Sequence, residues 1–133
     1  MSLAAIRADI ETQINAITPA LATAWQNVQF TPVNGVPYQR VTLLLAEPDN
    51  QELTASFNEV GFFQIDLCYP QLTGSAAAEA RAELLRNTFK RGQSFGVSDI
   101  LITHTPEVKP AYQESDRYII TVRVRFNAFI VVT

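Results

Sequence analysis

The chain has 133 residues, of which 47% are hydrophobic and 17% charged, which is the composition of a single ordinary globular domain over residues 1–133 and excludes a disordered chain. That length buries about two-thirds of the unfolded surface, so a real core is available. The net charge of −3 and pI near 5.0 exclude a broadly basic nucleic-acid binder, which needs a cationic face to neutralise phosphates.

In chain order, Leu3, Ile6, Ile10, Ile14 and Ile17 recur in steps of three and four, which predicts a helix over 3–17 with a core-facing stripe. Thr18-Pro19 ends it, because proline disfavours helical geometry in the residue before it. Trp25, Val28 and Phe30 predict a short strand near 27–31, and Pro32, Gly35 and Pro37 mark a turn-rich link after it. Residues 38–46 alternate, with Val41, Leu43 and Leu45 on one face and Arg40, Thr42 and Leu44 on the other, and predict a strand. The polar run Glu47-Pro48-Asp49-Asn50-Gln51-Glu52 opens a loop through residue 58, longer than the usual ~4–6 residues. Such a loop is either a binding element or a plain hairpin tip.

Residues 59–69 predict a second strand. Gly61, Phe63, Ile65, Leu67 and Tyr69 share one face, and Val60, Phe62, Gln64, Asp66 and Cys68 the other. Both faces are partly apolar, so the strand is expected in the middle of a sheet, covered by a helix on one side and a neighbouring subunit on the other. Pro70 stops it. A second helix is expected over 75–91, with Ala78, Ala82, Leu85 and Phe89 as its core stripe and Leu84 and Thr88 beside it. Ser75 is the expected N-cap, Glu79 suits the positive end of the helix dipole, Arg86, Lys90 and Arg91 suit the negative end, and Gly92 is placed to close the helix in left-handed geometry. Residues 99–105 and 117–132 predict two further strands, paired antiparallel across a wide loop. The result is an α+β domain: a largely antiparallel or mixed sheet of roughly four to five strands with two main helices packed on it.

Motifs for chemistry are sparse. The single His104 is expected at a strand end, with no motif around it to supply a nucleophile or an orienting group. The lone Cys68 has no histidine nearby in sequence to activate it, cannot form an internal disulfide or a Cys-based zinc site, and suits a reducing compartment. No ligand spacing for a metal and no phosphate loop is present in the sequence, so no cofactor is expected. The first residues lack the pattern of a signal peptide, and no apolar run approaches the ~20 residues that span a bilayer, so no membrane role is expected.

The cations are mostly arginine, which suits fixed pairing with carboxylates at protein interfaces. Arg123 and Arg125 stand two apart on the strand face that also carries Phe129. A plain solvent face makes Phe129 odd, and a core makes the arginines odd. A subunit interface accommodates both. An exposed polar face with one stray aromatic is the alternative.

The run GFFQIDLCYP, then Gly74, then AEARAELLRNTF closed by Gly92, resembles the tail terminator, or tail-completion, proteins of long-tailed bacteriophages, the lambda-like minor tail proteins and their prophage relatives. The likeness covers roughly residues 3–130, including the first helix and the long last strand. It implies a small non-enzymatic α+β subunit of the virion tail, assembled in the bacterial cytoplasm. It further implies subunits that are monomeric when free and that form, in the tail, a homo-hexameric ring capping the tail tube protein and offering a surface to the head–neck connector. It brings no ligand residue and no specific nucleic acid. The interface expected from the residues themselves is Glu47, Asp49, Glu52, Asp66, Arg123, Arg125 and Phe129. A head–tail connector of the neck is the nearest alternative function, and a small ligand-binding α+β domain the other.

Overall fold

The structure is a computed structural model and describes residues 3–46, 57–72, 74–96, 99–114 and 116–130. Among these residues two helices, α1 (Leu3–Asn15) and α2 (Ala76–Thr88), accompany eight strands in one mixed sheet. The strands are β1 (Ala22–Ala24), β2 (Tyr38–Leu45), β3 (Phe57–Pro70), β4 (Ser94–Phe95), β5 (Ile100–Ile102), β6 (Glu107–Val108), β7 (Tyr112–Glu114) and β8 (Arg117–Ile130). The fold is α+β as expected, with more strands than the four to five read from periodicity. The extra ones, β4, β6 and β7, are two or three residues long, too short to show a period of two.

The main order is β1-β2-β3-β8-β5-β4, with β6 and β7 also paired to β8. All pairs are antiparallel except β1 with β2. β8 is the spine: β3 runs along one side of it for its full length, and β7, β6 and β5 tile the other side in turn. The wide loop expected between residues 105 and 117 therefore carries two pieces of the sheet.

Both helices lie on one face. Ile6, Ile10 and Ile14 of α1 and Ala78, Ala82 and Leu85 of α2 are buried in one cluster with Val41, Phe63, Ile65, Leu67, Val122, Val124 and Phe126. Phe63 is fully buried and meets Phe89 edge-on at 5.1 Å and Phe126 at 6.2 Å. Burying one such ring contributes about 2–3 kcal/mol, and the edge-on pair about 1 more. The helix face of the sheet is thus a core, fixed by the odd residues of β3 and the even residues of β8.

Five local expectations are corrected. The first extended segment is β1, not residues 27–31, because Asn27 has a left-handed φ of 58° and Val28 N–H closes a turn on Trp25 O at 3.3 Å. Helix α1 ends at Asn15, although Ile17 stays buried in the turn that follows. Helix α2 ends at Thr88: Phe89 leaves helical geometry with φ −108° and ψ 58°, and its N–H still reaches Leu85 O. Gly92 has the expected left-handed φ, 90°, but its N–H donates to Ile102 O at 2.8 Å and so begins the β4–β5 pairing. Ser75 holds the N-cap position without a side-chain capping bond; its carbonyl accepts Glu79 N–H at 2.9 Å.

Candidate functional site

Among the described residues no helix lies on the second face of the sheet. Register lays its side chains out in rows: Tyr38, Cys68, Ile119 and Tyr112; then Arg40, Asp66 and Thr121; then Thr42, Gln64, Arg123 and Glu107; then Leu44, Phe62 and Arg125. Strand alternation places all of them on the side opposite the core.

The first row is roofed by the chain's own loop. Arg117, 5% exposed, donates to Val36 O at 2.6 Å and Val33 O at 2.7 Å, and its guanidinium sits over the Tyr38 ring at 5.0 Å. Phe30 adds a ring contact to Tyr38 at 5.1 Å. Beneath this roof Cys68 is fully buried, and burial pushes its thiol pKa up. Burial, with Cys68 alongside, also raises the Tyr38 hydroxyl. A raised pKa keeps the thiol protonated and inert.

The second row is an ion-pair network. Asp66, 8% exposed, accepts a hydrogen bond from Thr121 Oγ1 at 2.7 Å and faces Arg40 Nη2 at 3.3 Å. The same Arg40 nitrogen lies 3.5 Å from Glu114. Burial works to lower the Arg40 pKa, yet Cys68, Asp66 and Glu114 together hold it above its ordinary value. Arg40, Glu114, Arg117 and Tyr38 also line a cleft of about 410 Å³.

Further along, Arg123 donates to Gln64 Oε1 at 3.2 Å and stacks over the Phe62 ring at 4.2 Å. Arg125, beside it, is exposed. Among the described residues, buried polar atoms without a hydrogen-bond partner occur on both sides of the sheet: Arg40 Nε, Arg123 Nε and Asn127 Oδ1 on this face, and Gln39 Oε1, Arg81 Nε and Arg81 Nη2 on the helix side. What sets this face apart is that its three orphaned atoms lie beside the exposed Arg125 and the Arg40 ion pairs, with no helix over them.

The structure brings Asp66, Arg123 and Arg125 of the expected interface onto this one face. The Phe129 backbone pairs with Asn58 on β3, while its side chain lies outside the described residues. Glu47, Asp49 and Glu52 lie outside them as well. Arg40 was legible as a member of this face from the alternation of 38–46, but its partner Glu114 comes from a two-proline loop that carries no periodic signal. Arg117 and Arg81 had no such signal either. Arg81, 5% exposed on α2, donates to Pro19 O, and burial lowers its pKa. Arg86 donates to Pro106 O at 3.3 Å, so it joins α2 to the β5–β6 link.

His104 and Cys68 do not converge. His104 is exposed at the Phe62–Arg125 end, bonded to Thr103 Oγ1 at 2.8 Å, with Thr103 N–H on Arg125 O. Cys68 lies six residues along β3 from Phe62, about 20 Å at ~3.3 Å per residue. The groups a thiol–imidazole centre needs are at opposite ends of the sheet. Among the described residues there is no metal-ligand cluster and no helix long and apolar enough to cross a membrane.

No curated protein matches the chain at a significant level. One solved structure shares 23% identity and superposes with a TM-score of 0.77, over 100% of this chain and 99% of the other. A chain from the virion of a native gene transfer agent particle shares 17% identity with a TM-score of 0.66, over 95% of this chain and 96% of that one. These two likenesses carry the fold. A family model described as phage tail terminator protein matches residues 3–126. With that match over nearly the whole of the described fold, the chain belongs to the phage tail terminator family and is a structural protein of the phage tail.

Proposed function

We propose that this chain is the terminator subunit itself: a non-enzymatic protein that forms a ring, which the family resemblance makes six-membered, caps the tail tube and offers its far side to the head–neck complex. It assembles in the bacterial cytoplasm and ends in the virion tail. The observation that carries this reading is the helix-free sheet face. It holds a half-buried ion-pair network and unpartnered buried polar atoms where a finished monomer would have either a core or a solvated surface. A face of that kind suits contact with other protein surfaces, whose cores favour arginine and aromatic residues over lysine. The acidic balance suits a ring whose bore passes DNA without holding it.

The test is to polymerise the tube protein encoded with this chain, with and without the chain present, and measure tube lengths by electron microscopy. Tubes shortened and closed at one end by a ring of this protein are the expected result. Tubes of unchanged length with no added density at either end overturn the reading.

A further inference from the structure

Among the described residues the sheet has two margins with no strand beyond them, and they stand on one level. At the first, β1 covers only Tyr38 to Arg40 of β2. Past Arg40, no strand among the described residues pairs with the outer side of β2. Antiparallel ladders alternate, so residues of one parity turn both backbone groups to the partner and those of the other parity turn both away. Ala46 N–H crosses to Val60 O at 2.7 Å, whereas Leu43 N–H leaves the sheet and donates to the Gln26 side chain at 2.9 Å. The backbone groups of Leu43 and Leu45 therefore turn to the open edge, while the Leu43 side chain stays in the core. Leu44 and Leu45 are 43% and 39% exposed.

At the second margin β4 is outermost. Gln93 O accepts Ile102 N–H at 2.9 Å, so Ser94, the next residue, turns its backbone groups away from β5. The register then runs across the whole sheet in one row: Ala46, Val60, Asn127, Leu101, Ser94. Each successive pair from β2 through β3, β8 and β5 to β4 is antiparallel, so β2 and β4 point the same way.

We propose that copies of this chain join head to tail by continuing the sheet: β4 of one copy pairs in parallel with the Leu43–Leu45 edge of β2 of the next. The inference rests on the ring reading above and names the contact that would close it. Copies related by rotation about an axis all point the same way along it, so β4 of one copy and β2 of the next keep the direction they share within one chain, which makes the pairing parallel. Because both margins lie on one row, successive copies keep one height, the condition for closing a ring; an offset would climb into a helix. The Gln26 amide occupies the place of the missing strand. Its oxygen takes the Leu43 N–H and is steadied by Arg7 Nη1 at 2.8 Å. A side chain that fills an open edge slot protects the free subunit from indiscriminate pairing.

The test uses Ala46→Cys and Ser94→Cys, separately and together, in the full chain; both positions are exposed, while the native Cys68 is buried and silent. After mild oxidation, a mixture of the two single variants is expected to crosslink about tenfold more than either alone, since pairing raises the local thiol concentration. The double variant is expected to form a ladder ending in one closed multimer. Ala46→Cys linking to itself as a twofold dimer overturns the proposal. A ring seen by native mass spectrometry without the mixed crosslink overturns the sheet continuation and leaves the ring reading standing. A monomer at every concentration, with and without tube protein, overturns both. Gln26→Ala, which frees the Leu43 N–H, is expected to lower the protein concentration for half-assembly about fivefold; no change, or a rise, counts against the pairing edge.

Discussion

Asp66 is the most constrained charge on the helix-free face. Its carboxylate is almost buried, and Thr121, Arg40 and, at 3.4 Å, the Gln64 amide supply its partners. Removing one member of such a pair leaves the other short of its partner, which costs more than the pair contributes. Asp66→Ala is expected to destabilise the fold by about 2 kcal/mol and Asp66→Asn by about half that, since the amide still accepts from Thr121. Urea unfolding of both variants checks this; equal costs would mean that the charge contributes little. Cys68, next along β3 on the same side, makes a pH prediction. Burial raises the thiol pKa in the folded chain, so the folded state keeps its proton where the unfolded state has lost it. Stability from this group is intact below the ordinary thiol value of 9.0 and falls as pH rises past it. Cys68→Ser is expected to flatten the alkaline end of the stability profile, and the native thiol is expected to resist alkylation at pH 7 until the chain is unfolded.

At the scale of elements, β3 and β8 were legible because fourteen-residue strands repeat their alternation often enough to show it. The core stripes of both helices were legible for the same reason, with Ile6, Ile10, Ile14, Ala78, Ala82 and Leu85 all buried as their spacing requires. What was not legible depends on partners distant in sequence. Strand β1 exists because the chain returns to lie parallel beside Tyr38–Arg40, and Ala22–Ala24 has no β-branched run to announce it. Strands β6 and β7 exist because β8 is long enough to offer them an edge. One glycine in β3 has a purpose that only the fold reveals. A Cβ on Gly61 would sit 2.5 Å from Leu44 O and 3.0 Å from Leu45 Cα, both backbone atoms that cannot rotate aside. Gly61→Ala is therefore expected to cost about 2–3 kcal/mol, with the strain falling on the β2–β3 pairing at Leu44–Leu45. Hydrogen exchange should show the inward-facing amides of Leu44 and Ala46 losing protection before the β3–β8 ladder does. Unchanged stability would mean that β2 shifts there without penalty.

For the whole molecule, the decisive asymmetry is that both helices cover one face of the sheet and leave the other to charged and aromatic side chains. Two neighbouring arginines on that face separate what the fold needs from what assembly needs. Arg123 has internal work: it stacks on Phe62 and bonds to Gln64. Arg125 is exposed and, among the described residues, makes no side-chain bond or ion pair. Arg123→Ala should therefore lower the stability of the isolated subunit by about 1 kcal/mol, the value of a partly desolvated cation–π contact. Arg125→Glu should leave that stability within about 0.5 kcal/mol, as exposed substitutions do. If the helix-free face meets other subunits, the order reverses in assembly. Reversing an exposed charge at an interface sets like charges against each other and costs association, so Arg125→Glu should assemble only at much higher protein concentration, by sedimentation velocity, and lose the rise of Tm with concentration that mass action gives a multimer. An Arg125→Glu protein that assembles and caps tubes like the parent would leave assembly to the sheet margins alone, and the charged rows of β3 and β8 would then be an ordinary solvated surface.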